Sequence, residues 1–161
     1  MNTCKPLLAG LLLVLFLKPA GAAEENITVS TSESSEDGEV TRSVNFAGAC
    51  GEECFLASLS CSNSLEAELI DIPSVQAATA VAAAQSLMIL KAGGKAYELP
   101  IESFTFSEMN GTWDASGRAM DSDAIYKGLG AAKSFLLSVA GRSETLPVTA
   151  EVQVWAKACL N

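Results

Sequence analysis

The sequence predicts an α+β domain in which a largely antiparallel sheet is packed by two or three short helices and stapled by disulfides. Apolar residues alternate with polar ones along several segments, as in half-buried strands. Turn pairs such as Asp37-Gly38 and Asn110-Gly111 separate these segments. Short Ala-rich runs without alternation interrupt them, which is typical of helices. Together these observations predict strands joined by tight turns, with the helices inserted between them.

The N-terminus has the three parts of a secretory signal peptide. A lysine at position 5 precedes the eleven-residue apolar run Leu7–Leu17, and small residues follow at Ala20-Gly21-Ala22. A run of this length is shorter than the roughly 20 residues that cross a bilayer as a helix. We therefore expect cleavage of residues 1–22, a single exported domain over 23–161 in the periplasm or outside the cell, and no membrane span after cleavage.

The charge of the chain restricts its partners. The full sequence has ten basic and nineteen acidic residues, and removal of Lys5 and Lys18 leaves a net charge of −11. Such a charge disfavours nucleic acid and anionic membrane surfaces as partners. It favours a basic partner, or serves solubility alone.

The sequence contains no histidine, which removes whole classes of chemistry. Ser-His-Asp and Cys-His catalysis, histidine-ligated zinc and the usual near-neutral general base all need that side chain. The sequence therefore predicts no cofactor, no metal site and no catalytic residue, and an enzyme is the less favoured class.

Four cysteines remain once the leader with Cys4 is removed, and an even number in an exported protein predicts disulfides. A strand from Phe55 to Cys61 separates Cys54 and Cys61 by roughly 23 Å at about 3.3 Å per residue, which is beyond disulfide reach. Cys50 and Cys54 close a small loop, which leaves Cys61 for Cys159. A zinc or redox site fits poorly, since the spacing is not Cys-x-x-Cys.

The N-terminal half is expected to contain only strands until a first helix. Residues 27–46 predict a hairpin around Asp37-Gly38, although the acidic, Ser-rich stretch 32–39 is also consistent with a mobile tip. Leu65, Ala67 and Leu69 alternate with glutamates in a further strand. Ser74 is then a candidate N-cap for an Ala-rich helix that reaches residue 85.

A repeated pattern predicts two similar strand–helix–hairpin units. Residues 83–94 followed by Leu-Pro-Ile match residues 131–142 followed by Leu-Pro-Val, at a spacing of 48 residues with one deletion. The same register aligns Ser74 with Ser122. This order is typical of an internal duplication, although Ala and Ser are common enough for a chance match.

The segments between and after the repeats are shorter. Phe104 and Phe106 belong to a strand that Asn110-Gly111 turns into the next one, and a short helix follows Asp121 and Asp123. Residues 149–159 fit either a strand or a helix, and their composition slightly favours the helix.

These features predict a non-enzymatic binding protein. Two acidic elements are the candidate binding residues: Glu52 and Glu53 in the small cysteine loop, and Glu36 and Asp37 in the hairpin tip. One specific hypothesis is that the protein inhibits or neutralises a basic cell-envelope hydrolase or toxin, with one of these elements engaging its cleft.

Two other classes remain open from the sequence. A carboxylate-based hydrolase acting on glycans would pair Asp114 with Asp121 or Asp123. A structural or adhesive secreted module would instead expose an apolar patch. Asn26 and Asn110 match the acceptor pattern for N-glycosylation, and the sequence leaves open whether either carries sugar.

Overall fold

A computed structural model describes residues 26–49, 54–82, 86–108 and 110–160 of the chain. The predicted signal peptide and its cleavage point lie outside these residues. Within them, one antiparallel sheet of nine strands has the order β1-β2-β3-β4-β7-β6-β5-β8-β9. The sheet is strongly curled, and strands make up 58% of the described residues.

The strands and helices have the following bounds. The strands are β1 (Thr28–Glu36), β2 (Glu39–Ala47), β3 (Phe55–Cys61), β4 (Leu65–Pro73), β5 (Leu87–Ala92), β6 (Lys95–Ser107), β7 (Thr112–Ala119), β8 (Ser134–Val139) and β9 (Arg142–Pro147). The helices are α1 (Ser74–Ala82), α2 (Asp123–Ala131) and α3 (Ala150–Ala158).

The antiparallel sheet and the short helices are as predicted, but the α+β class is wrong in its proportions. Each of the three helices in the described residues has only nine residues. In α1 the side chain of Ala77 is buried, whereas Val75 is 79% exposed. The domain is therefore largely β, because the sheet supplies most of the apolar surface that forms the core.

The first hairpin forms around the predicted turn. Asp37 and Gly38 have φ angles of 51° and 83°, the left-handed conformation that a two-residue type I′ turn requires. The pairing then runs without interruption from Glu36 opposite Glu39 to Thr28 opposite Ala47. Because the twist of such a turn matches that of the strands, this local sequence is sufficient to set the register.

The long strand β6 joins the two halves of the sheet. Its first residues, Lys95–Pro100, pair with β5, and its last, Ile101–Ser107, pair with β7. The curl brings the inner faces together, so that Phe46 of β2 meets Phe135 of β8 edge-to-face at 5.4 Å between ring centroids. These two aromatic side chains lie at the centre of one continuous core.

The order strand, helix, strand, strand occurs twice, in β4-α1-β5-β6 and β7-α2-β8-β9. The first strands of the two runs pair with each other, and so do the second strands. The third strands differ, since β6 pairs with β7 whereas β9 lies at the sheet edge. An internal duplication stays a prediction, and the two runs do not pack alike.

The C-terminal segment is a helix rather than a strand. Val152, Trp155 and Ala156 share its buried face, and Trp155 Nε1 donates a 3.0 Å hydrogen bond to the backbone oxygen of Arg42. Cys159 then forms a disulfide with Cys61, with Cα atoms 6.0 Å apart. The segment is helical because a helix presents its apolar residues to α2 and to the first hairpin at the same time.

Within the described ranges, no helix is long and apolar enough to cross a membrane.

Candidate functional site

The structure describes only one of the two predicted acidic elements. Glu52 and Glu53 lie outside the described residues, as does Cys50, the predicted partner of Cys54. Cys54 itself is disulfide-bonded. Glu36 and Asp37 are described, and both lie exposed at the tip of the β1–β2 hairpin.

The hairpin tip concentrates negative charge. Glu36 lies directly opposite Glu39, and Asp37 occupies the turn between them. Like charges directly opposite each other in a sheet are destabilising. Asn63 Nδ2 donates a 2.9 Å hydrogen bond to the Glu39 carboxylate. In the described part of the chain, neither Glu36 nor Asp37 has a side-chain hydrogen bond or ion pair.

Further along the hairpin, one ion pair connects its two strands. Arg42 Nε lies 2.9 Å from the Glu33 carboxylate, and the two residues face each other across β1 and β2. Arg42 is the first basic residue that follows the tip along β2. Its charge is therefore engaged by Glu33, several residues away from the three carboxylates of the tip.

An open groove of about 590 Å³ lies between this hairpin and α3. Its apolar wall includes Trp155, which is 4% exposed, and Val154, which is 69% exposed. Glu33 and Glu151 add carboxylates to its walls. The lining residues are Thr31, Ser32, Glu33, Arg42, Ala150, Glu151, Val154, Trp155 and Ala158. The groove thus offers apolar contacts beside negative charge, a combination suited to a ligand with both apolar and cationic groups.

The aspartates of the predicted hydrolase do not come together. Asp114 lies near the start of β7, whereas Asp121 and Asp123 follow its end. Five residues of strand from Asp114 to Ala119 alone span about 17 Å, more than the roughly 5–10 Å that paired glycosidase carboxylates require. Asp123 is instead the first residue of α2 and lies 4.0 Å from Lys127.

The structure places a different carboxylate beside Asp114, and the sequence interpretation missed it. Glu68 of β4 pairs with Ser116 of β7, so Asp114 is its diagonal neighbour on the outer face of the sheet. A bulge after Leu69 brings in Asp71, whose N–H donates to Asp114 Oδ1 at 3.2 Å. Only the pairing register and this bulge create the cluster, and neither has a local sequence signal.

The pKa of the Glu68 carboxyl is raised in this setting. Burial raises its pKa, and the negative charge of Asp114 raises it further. The Ser58 hydroxyl, 3.4 Å from Glu68 Oε2, acts in the opposite direction by favouring the charged form. Folding therefore disfavours ionisation of Glu68. The resulting loss of stability is absent below the pKa of the carboxyl in the unfolded chain and develops as the pH rises through its raised pKa in the folded protein.

We expect Glu68→Gln to stabilise the protein at neutral pH. Glutamine keeps an acceptor for Ser58 but carries no charge to desolvate. The gain in the free energy of unfolding should be at most about 1 kcal/mol at pH 7, since the site is partly open to water. It should disappear near pH 3, as measured by urea unfolding at both pH values.

Asp114→Asn is the matched control for this pair. Its Oδ1 still accepts the Asp71 N–H, but its charge is lost, so the pKa of Glu68 should fall in an NMR titration. An equal effect of Glu68→Gln at both pH values would contradict the assignment.

Within the described ranges, no group of three or more histidine, cysteine or acidic side chains is arranged to hold a metal ion.

No protein-family model matches this chain. The comparison with curated proteins finds no match either, and the same holds for solved structures. The described residues therefore define the class of the protein by its architecture alone. It is a largely β, disulfide-containing domain with an acidic hairpin and an adjoining groove.

Proposed function

We propose that this chain is an exported, non-enzymatic binding protein that recognises a basic partner through the tip of the β1–β2 hairpin. The observation that carries the proposal is the position of Glu36 directly opposite Glu39, with Asp37 between them. A cationic group placed among these three carboxylates would relieve their repulsion. In one specific form of the proposal, the tip enters the cleft of a basic cell-envelope hydrolase or toxin and inhibits it.

Three further features support the proposal. The net charge of −9 for the full sequence steers a basic partner toward the protein and accelerates encounter at low salt. The Cys61–Cys159 disulfide is compatible with an oxidising compartment, where exported proteins fold. A rigid hairpin also binds at a lower entropic cost than a flexible loop, because its backbone is ordered before binding.

The test is a double substitution at the tip, Glu36→Gln with Asp37→Asn. Asparagine tolerates the left-handed conformation of position 37, so the turn should persist. Immobilised wild-type protein should capture a basic protein from an envelope extract at low salt. The variant should bind that protein at least about tenfold more weakly, or about 1.4 kcal/mol, when both affinities are measured by calorimetry.

Stability should change in the opposite direction. Removing the repulsion opposite Glu39 should raise the free energy of unfolding by about 0.2–1 kcal/mol. The control is Glu98→Gln with Glu108→Gln, which removes two exposed carboxylates elsewhere and should leave the affinity within about twofold, because no ligand charge lies near them. Capture of no basic protein, or equal weakening by both double variants, would argue against the proposal.

A second candidate function is a carboxylate-based hydrolase acting on glycans, and the Glu68–Asp114 pair favours it. The pKa of Glu68 is raised by burial, and its diagonal neighbour Asp114 is a second carboxyl group, an arrangement that an acid–base pair needs. Turnover of a glycan that is lost in Glu68→Gln but retained in the tip variant would favour this function over binding.

A further inference from the structure

Strand β1 forms one edge of the sheet. It pairs with β2 alone, through nine consecutive residue pairs without a register shift. In the described part of the chain, its backbone has no hydrogen-bonded partner outside that ladder. Alternate residues of an antiparallel edge strand turn their N–H and C=O groups away from the neighbour. The outer side of β1 therefore presents a row of donors and acceptors.

This edge lacks several of the usual structural protections against pairing. Edge strands are commonly short, bulged, or interrupted by proline or lysine. The opposite edge, β9, has only six residues, begins at Arg142 and ends at Pro147. In contrast, β1 has nine residues with no proline, lysine or bulge, and its charged side chains are those of Glu33 and Glu36.

The groove follows this edge. Thr31, Ser32 and Glu33 all line it, although successive residues of a strand point to opposite faces. Thr31, Glu33 and Arg42 share one face of the hairpin, so the groove lies over that face, and it reaches the backbone of the β1 edge at Ser32. Its far wall comes from α3, where Val154 and Trp155 are apolar. A strand added to β1 would place every second side chain against this wall.

Charge selects the occupant. A second copy of β1 would bring Glu33 and Glu36 of each strand against those of the other, which opposes self-pairing. A segment with apolar side chains in the groove would instead place its lysine or arginine side chains on the opposite face of β1, beside Glu36, because the side chains of a strand alternate between faces. The one arginine that lines the groove, Arg42, is already paired with Glu33.

We propose that β1 accepts an extended, lysine- or arginine-bearing segment of a partner protein as an additional strand, with apolar side chains of that segment in the groove beside α3. The preference for a basic segment rests on the proposed function, whereas the strand pairing is independent of it. Main-chain hydrogen bonds then supply affinity, and the alternating side chains supply specificity.

The test uses a nine-residue peptide in which lysine alternates with valine, and a counterpart in which glutamate replaces lysine. The basic peptide should bind and slow amide hydrogen exchange at alternate residues of β1 by more than about tenfold, because these amides gain partners. N-methylation on the peptide edge that faces β1 should weaken binding at least about tenfold, and on the other edge less than about threefold. The acidic peptide should not bind.

A matched pair of variants locates the edge. Ser32→Lys places a cation on exposed β1, and Thr145→Lys does the same on the exposed side of β9. Both positions are at the surface, so both variants should fold. Ser32→Lys should weaken binding of the basic peptide at least about tenfold, and Thr145→Lys should leave it within about twofold, since repulsion acts over roughly a Debye length.

The outcomes separate this inference from the proposed function. In one outcome the peptide binds, the tip substitutions weaken this binding, and methylation on either edge of the peptide leaves it unchanged. That outcome would overturn strand addition but keep the basic-partner function. In another outcome the free protein forms a dimer in which amide hydrogen exchange of β1 is slow. A second copy of the chain would then be the occupant, and the inference would be overturned as well. If the peptide does not bind but an envelope protein is captured, unprotected β1 amides in that complex overturn the inference. If the peptide does not bind and no envelope protein is captured, both proposals are contradicted.

Discussion

Replacement of Cys61 and Cys159 by alanine is expected to lower the free energy of unfolding by about 4–5 kcal/mol. The disulfide closes a loop with a sequence separation of 98 residues, and removing it restores the conformational entropy of that loop to the unfolded chain. It also releases the end of α3 from β3, where Cys61 is 4% exposed. The midpoint of thermal unfolding, followed by circular dichroism, should fall by about 10–15 °C.

The control for this prediction is the double variant Cys50→Ala with Cys54→Ala. It removes the predicted small loop, for which the same relation gives only about 2 kcal/mol. The two double variants should therefore differ by more than about 2 kcal/mol. A smaller loss from the Cys61 and Cys159 variant than from the control would show that packing of α3, rather than the covalent bond, holds the C-terminus.

Phe46→Ala is expected to cost about 3–5 kcal/mol, because the ring is fully buried between the two halves of the curled sheet. The loss includes its edge-to-face contact with Phe135, whose ring centroid is 5.4 Å away. A double-mutant cycle with Phe46→Leu and Phe135→Leu should isolate a coupling of about 0.5–1.5 kcal/mol from that aromatic pair. Urea unfolding measures both quantities.

Phe106 provides the matched comparison. Its ring also lies 5.4 Å from an aromatic partner, Trp113, but it is 46% exposed. Phe106→Ala should therefore cost less than about 1.5 kcal/mol, since less apolar surface returns to water and no enclosed cavity forms. Similar losses at Phe46 and Phe106 would contradict the location of the core between β2 and β8.

Local chemistry explains the features that could be predicted from the sequence. The first hairpin depends on Asp37-Gly38, because aspartate tolerates the left-handed conformation of the turn and glycine, which has no Cβ, adopts it freely. Strand β3 follows from period-two alternation, and its length alone separates Cys54 from Cys61. With Cys54 assigned to a small loop with Cys50, that separation left Cys61 for Cys159, and the structure contains this disulfide. The turn and the strand each depend on contacts within a few residues.

Long-range register explains what was missed. Glu68 and Asp114 are neighbours because β4 pairs with β7 and because a bulge follows Leu69. No pattern within either strand specifies that pairing, so Asp114 was matched with the nearby Asp121 and Asp123. The composition of α1 likewise indicated a packed helix, whereas Val75 and Val81 are exposed. The largely antiparallel sheet and the short helices were predicted, whereas the described residues are largely β rather than α+β.

The sequence by itself determined the turn that places Glu36 and Asp37 at an exposed tip, because turn chemistry acts between adjacent residues. Only the tertiary structure decided what lies beside that tip. The sheet order makes β1 an edge, and α3 folds back over the hairpin through the Trp155–Arg42 hydrogen bond and the Cys159 disulfide. The groove exists because residues separated by more than a hundred positions pack together, which depends on the whole core rather than on any segment.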